Sequence, residues 1–116
     1  MSDNPIDIAE LSDILGTADP SVLCPIFEVW LEASLPRVEA ISSAADARDR
    51  TLLRQAAHGA KGTALQIGAK QMAKMCAQID VEVAAGSWED LLQLVGEILD
   101  ENECARCFVK SFLARA

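Results

Sequence analysis

The stretch AAHGAKGTAL, residues 56–65, holds the single histidine of the chain, His58. Lys61 follows it by three residues and Gly62 by four. On an α-helix those spacings bring side chains onto one face, a turn apart. Arg54 and Leu65 fall on the same face, on the turns before and after. An imidazole is a nitrogen nucleophile and a proton carrier near neutral pH. An ammonium one turn away can reach any anion attached to that ring. Gly62 carries no side chain, so it bares the backbone beside the ring and leaves room for a second protein. Each glycine costs a helix interior about 1 kcal/mol relative to alanine. Docking clearance gives Gly62 a reason; the sequence alone gives none for Gly59.

The phase of the apolar residues keeps His58 out of the core. Leu53, Ala57, Ala60, Ala64 and Ile67 recur at spacings of three and four. His58 is one residue past Ala57, about 100° around the helix from that stripe. The following helix turns back at Gly68 and brings Asp80 level with His58. A carboxylate there can accept the Nδ1 proton of the imidazole, fix the tautomer and leave Nε2 as the nucleophile. The plainer alternatives are a surface histidine without a role and a solvated aspartate.

Five helical stretches position these residues. The first runs from Ile6 to about Leu15, with Asn4 as cap, Pro5 at the first helical position and Gly16 as stop. Its apolar face is Ile8, Leu11, Ile14 and Leu15. The second starts near Asp19-Pro20-Ser21 and reaches about Ala45, with Leu23, Phe27, Trp30, Val38 and Ile41 inward. Pro25 falls near its first turn, and Pro36 should kink it. The third spans about Asp49 to Ile67, capped by Asp49 and closed by Gly68. The fourth spans about Ala69 to Ala85, with Met72, Met75, Cys76, Ile79 and Val83 inward, and stops at Gly86. Ser87 caps the fifth, Trp88 to about Ala114, which at about 1.5 Å per residue is roughly 40 Å long. Asn102 falls on its apolar stripe, where a local irregularity is expected. Four long amphipathic helices with short turns predict an antiparallel up-down-up-down four-helix bundle, with the short first helix covering one end.

Composition agrees with an all-α chain. Of the 116 residues 51% are hydrophobic and only 4% aromatic, so the apolar mass is Ala, Leu, Ile and Val. That length fits a single domain over residues 1–116. The net charge of −8 argues against nucleic acid, whose phosphates bind clustered Lys and Arg, and against an anionic membrane surface. No apolar run approaches the roughly 18 residues of a membrane span. MSDNPIDIAEL has neither a basic region nor an apolar signal core, so a cytoplasmic protein is expected, with Cys24, Cys76, Cys104 and Cys107 as reduced thiols.

The sequence resembles the histidine-containing phosphotransfer (HPt) domain family. The resemblance rests on His58-Gly59-Ala60-Lys61-Gly62 with Thr63, on Leu65-Gln66-Ile67-Gly68, and on Cys76-Ala77-Gln78-Ile79-Asp80. Weaker similarity extends over most of the chain, including Leu35-Pro36. It implies a phosphohistidine carrier in a multistep two-component phosphorelay. His58 would take a phosphoryl group at Nε2 from a receiver-domain aspartate, or from a hybrid histidine kinase, and pass it to a response-regulator aspartate. Lys61 would neutralise the phosphoryl oxygens and Asp80 would orient the ring. Gly62, Leu65, Arg54, Leu11 and Leu15 would face the receiver. The resemblance implies no cofactor on this chain, Mg²⁺ in the receiver partner, a monomer, and no enzyme activity of its own. Without an ATP-binding signature it implies a free-standing carrier. The family commonly has a larger residue than Gly59, Leu where Ala60 stands, and Glu or Gln where Asp80 stands.

Other functions fit less well. A di-iron bundle needs Glu-x-x-His pairs from two helices, and one histidine preceded by Gln55 at that spacing excludes it. Cys104 and Cys107 form a C-x-x-C without a second ligand pair for zinc, and read as small residues on a packed helix. A nucleophilic enzyme would need base, nucleophile and oxyanion site converging in a pocket. An acidic helical adaptor that is never phosphorylated is the remaining alternative.

Overall fold

In the computed structural model, residues 4–116 are described; residues 1–3, the start of the expected domain, lie outside them. The described residues form five helices and no strand: α1 (Ile8–Leu15), α2 (Pro20–Asp46), α3 (Arg50–Leu65), α4 (Lys70–Glu82) and α5 (Trp88–Arg115). Three of the predicted starts are made by short polar side chains that accept an otherwise orphaned backbone N–H. Asp19 accepts from Ser21, Asp49 from Leu52, and Ser87 from Asp90. Gly68, in the left-handed region at φ 73°, turns the chain between α3 and α4.

Helix α1 departs from expectation at its start. Asp7, not Asn4, is the N-cap, accepting from the Glu10 N–H at 3.0 Å. Ile6 is therefore outside the helix and is buried. The Asp7 N–H donates to the Gly68 carbonyl at 3.0 Å, and Lys70 pairs with Glu10, so α1 is fastened to the α3–α4 turn. Only Leu11 of this helix is buried. Ile14 and Leu15, expected on the inner face, are exposed, because two turns held at the Gly68 corner leave the far end uncovered.

Helix α2 contacts α3 and α5, and α4 contacts the same two, so the four long helices close a ring. The core is built from Leu23, Phe27, Trp30 and Ile41 of α2 with Leu91, Ile98 and Val109 of α5, among others. The helices run unbroken through Pro25 and Pro36 of α2 and through Asn102 of α5. Pro36 cannot supply the N–H that the carbonyl one turn earlier would take. On the neighbouring turn Arg106 of α5 donates to the Leu31 carbonyl at 3.1 Å and to the Ser34 hydroxyl at 3.2 Å, tying α5 to α2 there. The Asn102 side chain is buried on the apolar stripe, and the irregularity expected there does not interrupt the helix. Cys104 and Cys107, by contrast, are exposed free thiols rather than packed ones.

The inward face of α3 is Leu53, Ala57, Ala60 and Ala64. Three alanines let α2 and α4 approach α3 closely on its two flanks. Side chains from both neighbours can therefore reach the turn that carries His58.

Candidate functional site

His58 stands exposed on the outer face of α3, with no hydrogen bond to its ring among the described residues. Ala57, one position back, is 1% exposed, so the phase read from the sequence holds. His58 lines an open groove of about 520 Å³ with Thr51, Arg54, Gln55 and Asp80. Nothing within 4 Å would meet a Cβ at Gly62, so the space over that residue is clear.

On the α4 flank, Asp80 reaches the groove but does not bond to the ring. Its Oδ1 accepts from Arg54 Nε at 2.6 Å. The expected carboxylate–imidazole bond is absent here because Arg54, one turn before His58, offers a guanidinium that takes the short aspartate side chain first. Lys61 is half-buried on the same flank and has no ion pair among the described residues. It lies near enough to Cys76 of α4 to act on it electrostatically. Burial pushes the Cys76 thiol up to about 11, and the Lys61 charge pulls the other way.

On the α2 flank the structure supplies what the sequence lacked for Gly59. A Cβ built there would stand 2.7 Å from Arg37 Nη1 and 3.4 Å from its Cζ. The guanidinium of Arg37 lies over the bare backbone next to His58. Sequence reasoning missed Arg37; the available signal was the unexplained glycine. The Gly59 carbonyl also accepts from the Thr63 hydroxyl at 3.2 Å.

The site is locally cationic on an acidic molecule. Helix α3 carries Arg50, Arg54 and Lys61 and no carboxylate, in a chain of net charge −8. Arg50 is committed elsewhere: it donates to the Val83 carbonyl at 2.8 Å and lies over the Trp88 ring. Arg54 is held by Asp80. Lys61 and Arg37 are the cations next to His58 without an ion pair among the described residues.

Of the other residues expected to face a partner, Leu65 is 53% exposed and Leu15 is 39% exposed. Leu11 is 2% exposed and cannot meet a partner. It is used to seat α1, its Cβ lying 3.5 Å from where a Gly68 Cβ would be.

No curated protein sequence matches the chain. The fold is similar to the crystal structure of histidine-containing phosphotransfer protein B (HptB) from Pseudomonas aeruginosa PAO1, with a TM-score of 0.80 and 22% identity over 99% of each chain. Residues 25–106, which include α3 and α4 whole, match the family model of the Hpt domain, and the chain belongs to that family.

Proposed function

We propose that this protein is a phosphohistidine carrier between receiver domains of a phosphorelay, with His58 as its one phosphoacceptor. The observation that carries the reading is an exposed imidazole and, one turn on, a lysine, both without a bonded partner among the described residues, with open space over Gly62. Membership in the Hpt family and the likeness to HptB support it. The closed ring of helix contacts and the short turns between consecutive helices support the up-down-up-down bundle as the scaffold; the carrier is read as a single monomeric domain.

In the transfer, the Nε2 lone pair of neutral His58 attacks the phosphorus of an aspartyl phosphate. The N–P bond forms as the acyl O–P bond breaks, and the aspartate leaves as carboxylate. The Nδ1 proton stays on the ring, so no proton is released, and the reverse sequence delivers the phosphoryl group onward. Such transfers depend on alignment and charge neutralisation more than on covalent assistance from the protein. Lys61 meets the phosphoryl oxygens from the α4 flank. Gly62, Leu65, Leu15 and Arg54 form the surface on which a receiver sits. Mg²⁺ belongs to the receiver, whose carboxylates would hold it. Asp80 acts at one remove, by holding Arg54.

The test is phosphoryl transfer from receiver domains and hybrid kinases of the source genome, charged with labelled phosphate in the presence of Mg²⁺. Wild type should acquire a base-stable, acid-labile label, and His58→Gln should acquire none. A His58→Gln variant that labels normally removes the site. A wild type that binds receivers without ever taking label identifies an unphosphorylated acidic adaptor instead.

A further inference from the structure

We infer that Arg37 is a second phosphoryl-binding cation of His58, seated by Gly59, an assignment that rests on the carrier reading above. Three observations converge on it. First, Arg37 has no ion pair among the described residues. Among the described residues no carboxylate lies within ion-pair distance of it, and the residues one turn away on α2 are Ala33, Ser34, Ala40 and Ile41, so its own helix offers no acidic partner there. In a chain with 18 Asp and Glu against 10 Lys and Arg, a guanidinium left without a carboxylate is a specific placement.

Second, its head group is at the reacting turn. Nη1, Cζ and Cδ lie 2.7, 3.4 and 3.8 Å from the Cβ position of Gly59. Adjacent Cα atoms are only about 3.8 Å apart, so the guanidinium lies beside the backbone that carries His58. Position 59 is about 100° from His58 in one sense, and Lys61, three residues on, is about 60° away in the other. Arg37 and Lys61 therefore flank the imidazole from opposite sides, one from the α2 flank and one from the α4 flank. A phosphoryl group with two anionic oxygens can then be met by a cation on each side, and arginine offers the planar donor pair suited to phosphate.

Third, the glycine has no other use in the fold. Gly59 is in regular helix with φ outside the left-handed region, so its backbone does not require glycine. The contact that a Cβ would make is with the far end of a flexible side chain, which can swing aside. Alanine at 59 would thus be tolerated by the helix and would raise its propensity. What alanine would lose is the seat of the Arg37 head group.

The experiment is a double-mutant cycle on Arg37→Ala and Gly59→Ala, with Arg37→Gln and Arg37→Lys alongside, each charged from the same labelled receiver. Arg37→Ala and Arg37→Gln should slow transfer about tenfold, with Arg37→Lys in between. Gly59→Ala should unfold at a higher temperature than wild type yet transfer more slowly. The double variant should transfer no more slowly than Arg37→Ala alone, because both changes remove the same interaction. Phosphorus NMR separates a phosphoryl contact from a structural one. The titration midpoint of the phosphohistidine signal should rise by at least about half a unit in Arg37→Ala and Gly59→Ala, since removing a cation makes protonation easier. Slowed transfer with an unmoved midpoint, additive effects in the cycle, or Gly59→Ala transferring at the wild-type rate each overturns the assignment. Wild type that accepts no phosphoryl group from any receiver overturns the carrier reading itself. Labelled wild type with unaffected Arg37 variants overturns only Arg37.

Discussion

Lys61 has neither an ion pair nor a hydrogen bond to another side chain among the described residues, whereas Arg54 and Arg50 are both engaged. Its charge is free for an incoming anion. A hydrogen bond to a charged group is worth about 1.5–3 kcal/mol, and partial exposure puts Lys61 at the low end. Lys61→Ala should therefore slow phosphoryl transfer about tenfold while leaving the unfolding midpoint within about 2 °C of wild type, read by transfer kinetics and thermal circular dichroism. Asp80→Asn is expected to behave differently. The Arg54–Asp80 pair is exposed at both ends, so its loss should cost under about 1 kcal/mol in urea unfolding. His58 and Lys61 were legible in the sequence because helical phase alone assigns a face. The partner of Asp80 was not, because helix register brought it level with both Arg54 and His58, and only side-chain reach decides between them. Arg37 was still less legible: it sits 21 positions before His58 on another helix, and only its contact with Gly59 reveals it.

At the scale of the helix, Gly62 and Gly68 test two different needs for glycine. Gly62 is in regular helix with open space above it, so a longer residue costs the isolated protein nothing. Gly62→Gln should stabilise the chain by roughly 0.5–1 kcal/mol from helix propensity. The same side chain would project into the space proposed for a receiver, so the half-saturating receiver concentration should rise at least about tenfold. Equal or tighter receiver binding by this variant would remove Gly62 from the docking surface. Gly68 has φ 73° and lies 3.1 Å, at its Cβ position, from the Asp7 carbonyl oxygen, so alanine there strains the turn and crowds α1. The caps at Asp19, Asp49 and Ser87 and the stop at Gly68 were readable because each has a local chemical cause. Helix α1 was misread by two residues because Asn4-Pro5 and Asp7 both suit a helix start. The choice between them was made by tertiary contacts, namely burial of Ile6 and the bond from Asp7 to the Gly68 carbonyl.

For the whole molecule, the core beneath the site makes stability depend on pH in a defined alkaline window. Cys76 is 1% exposed under the α3–α4 interface, and its thiol is pushed from 9.0 up to about 11 by burial. In the unfolded chain the same thiol ionises near 9. Between pH 9 and 11 the unfolded state has released the proton that the native state still holds. Stability then falls as pH rises, because the unfolded state binds fewer protons. Two pH units of difference correspond to roughly 2–3 kcal/mol lost by pH 11. The Lys70–Glu10 pair adds a second alkaline loss, but later. Its ammonium is raised above 10.5 by the Glu10 carboxylate, so the stability it contributes is intact below 10.5 and disappears only above the folded value. Of these two groups, Cys76 is the one that acts between pH 9 and 10.5. Urea unfolding of the reduced protein at pH 7.5, 9, 9.8 and 10.5 should give constant stability up to about 9 and a decline beyond it. Cys76→Ala should start lower, since it leaves a small cavity, and should stay flat to 10.5. A Cys76→Ala variant that declines in parallel with wild type would show that another group sets the alkaline limit. Thiol labelling at pH 8 offers a direct check on the same burial: Cys104 and Cys107 should react in the native state, and Cys76 only once the ring of helices opens.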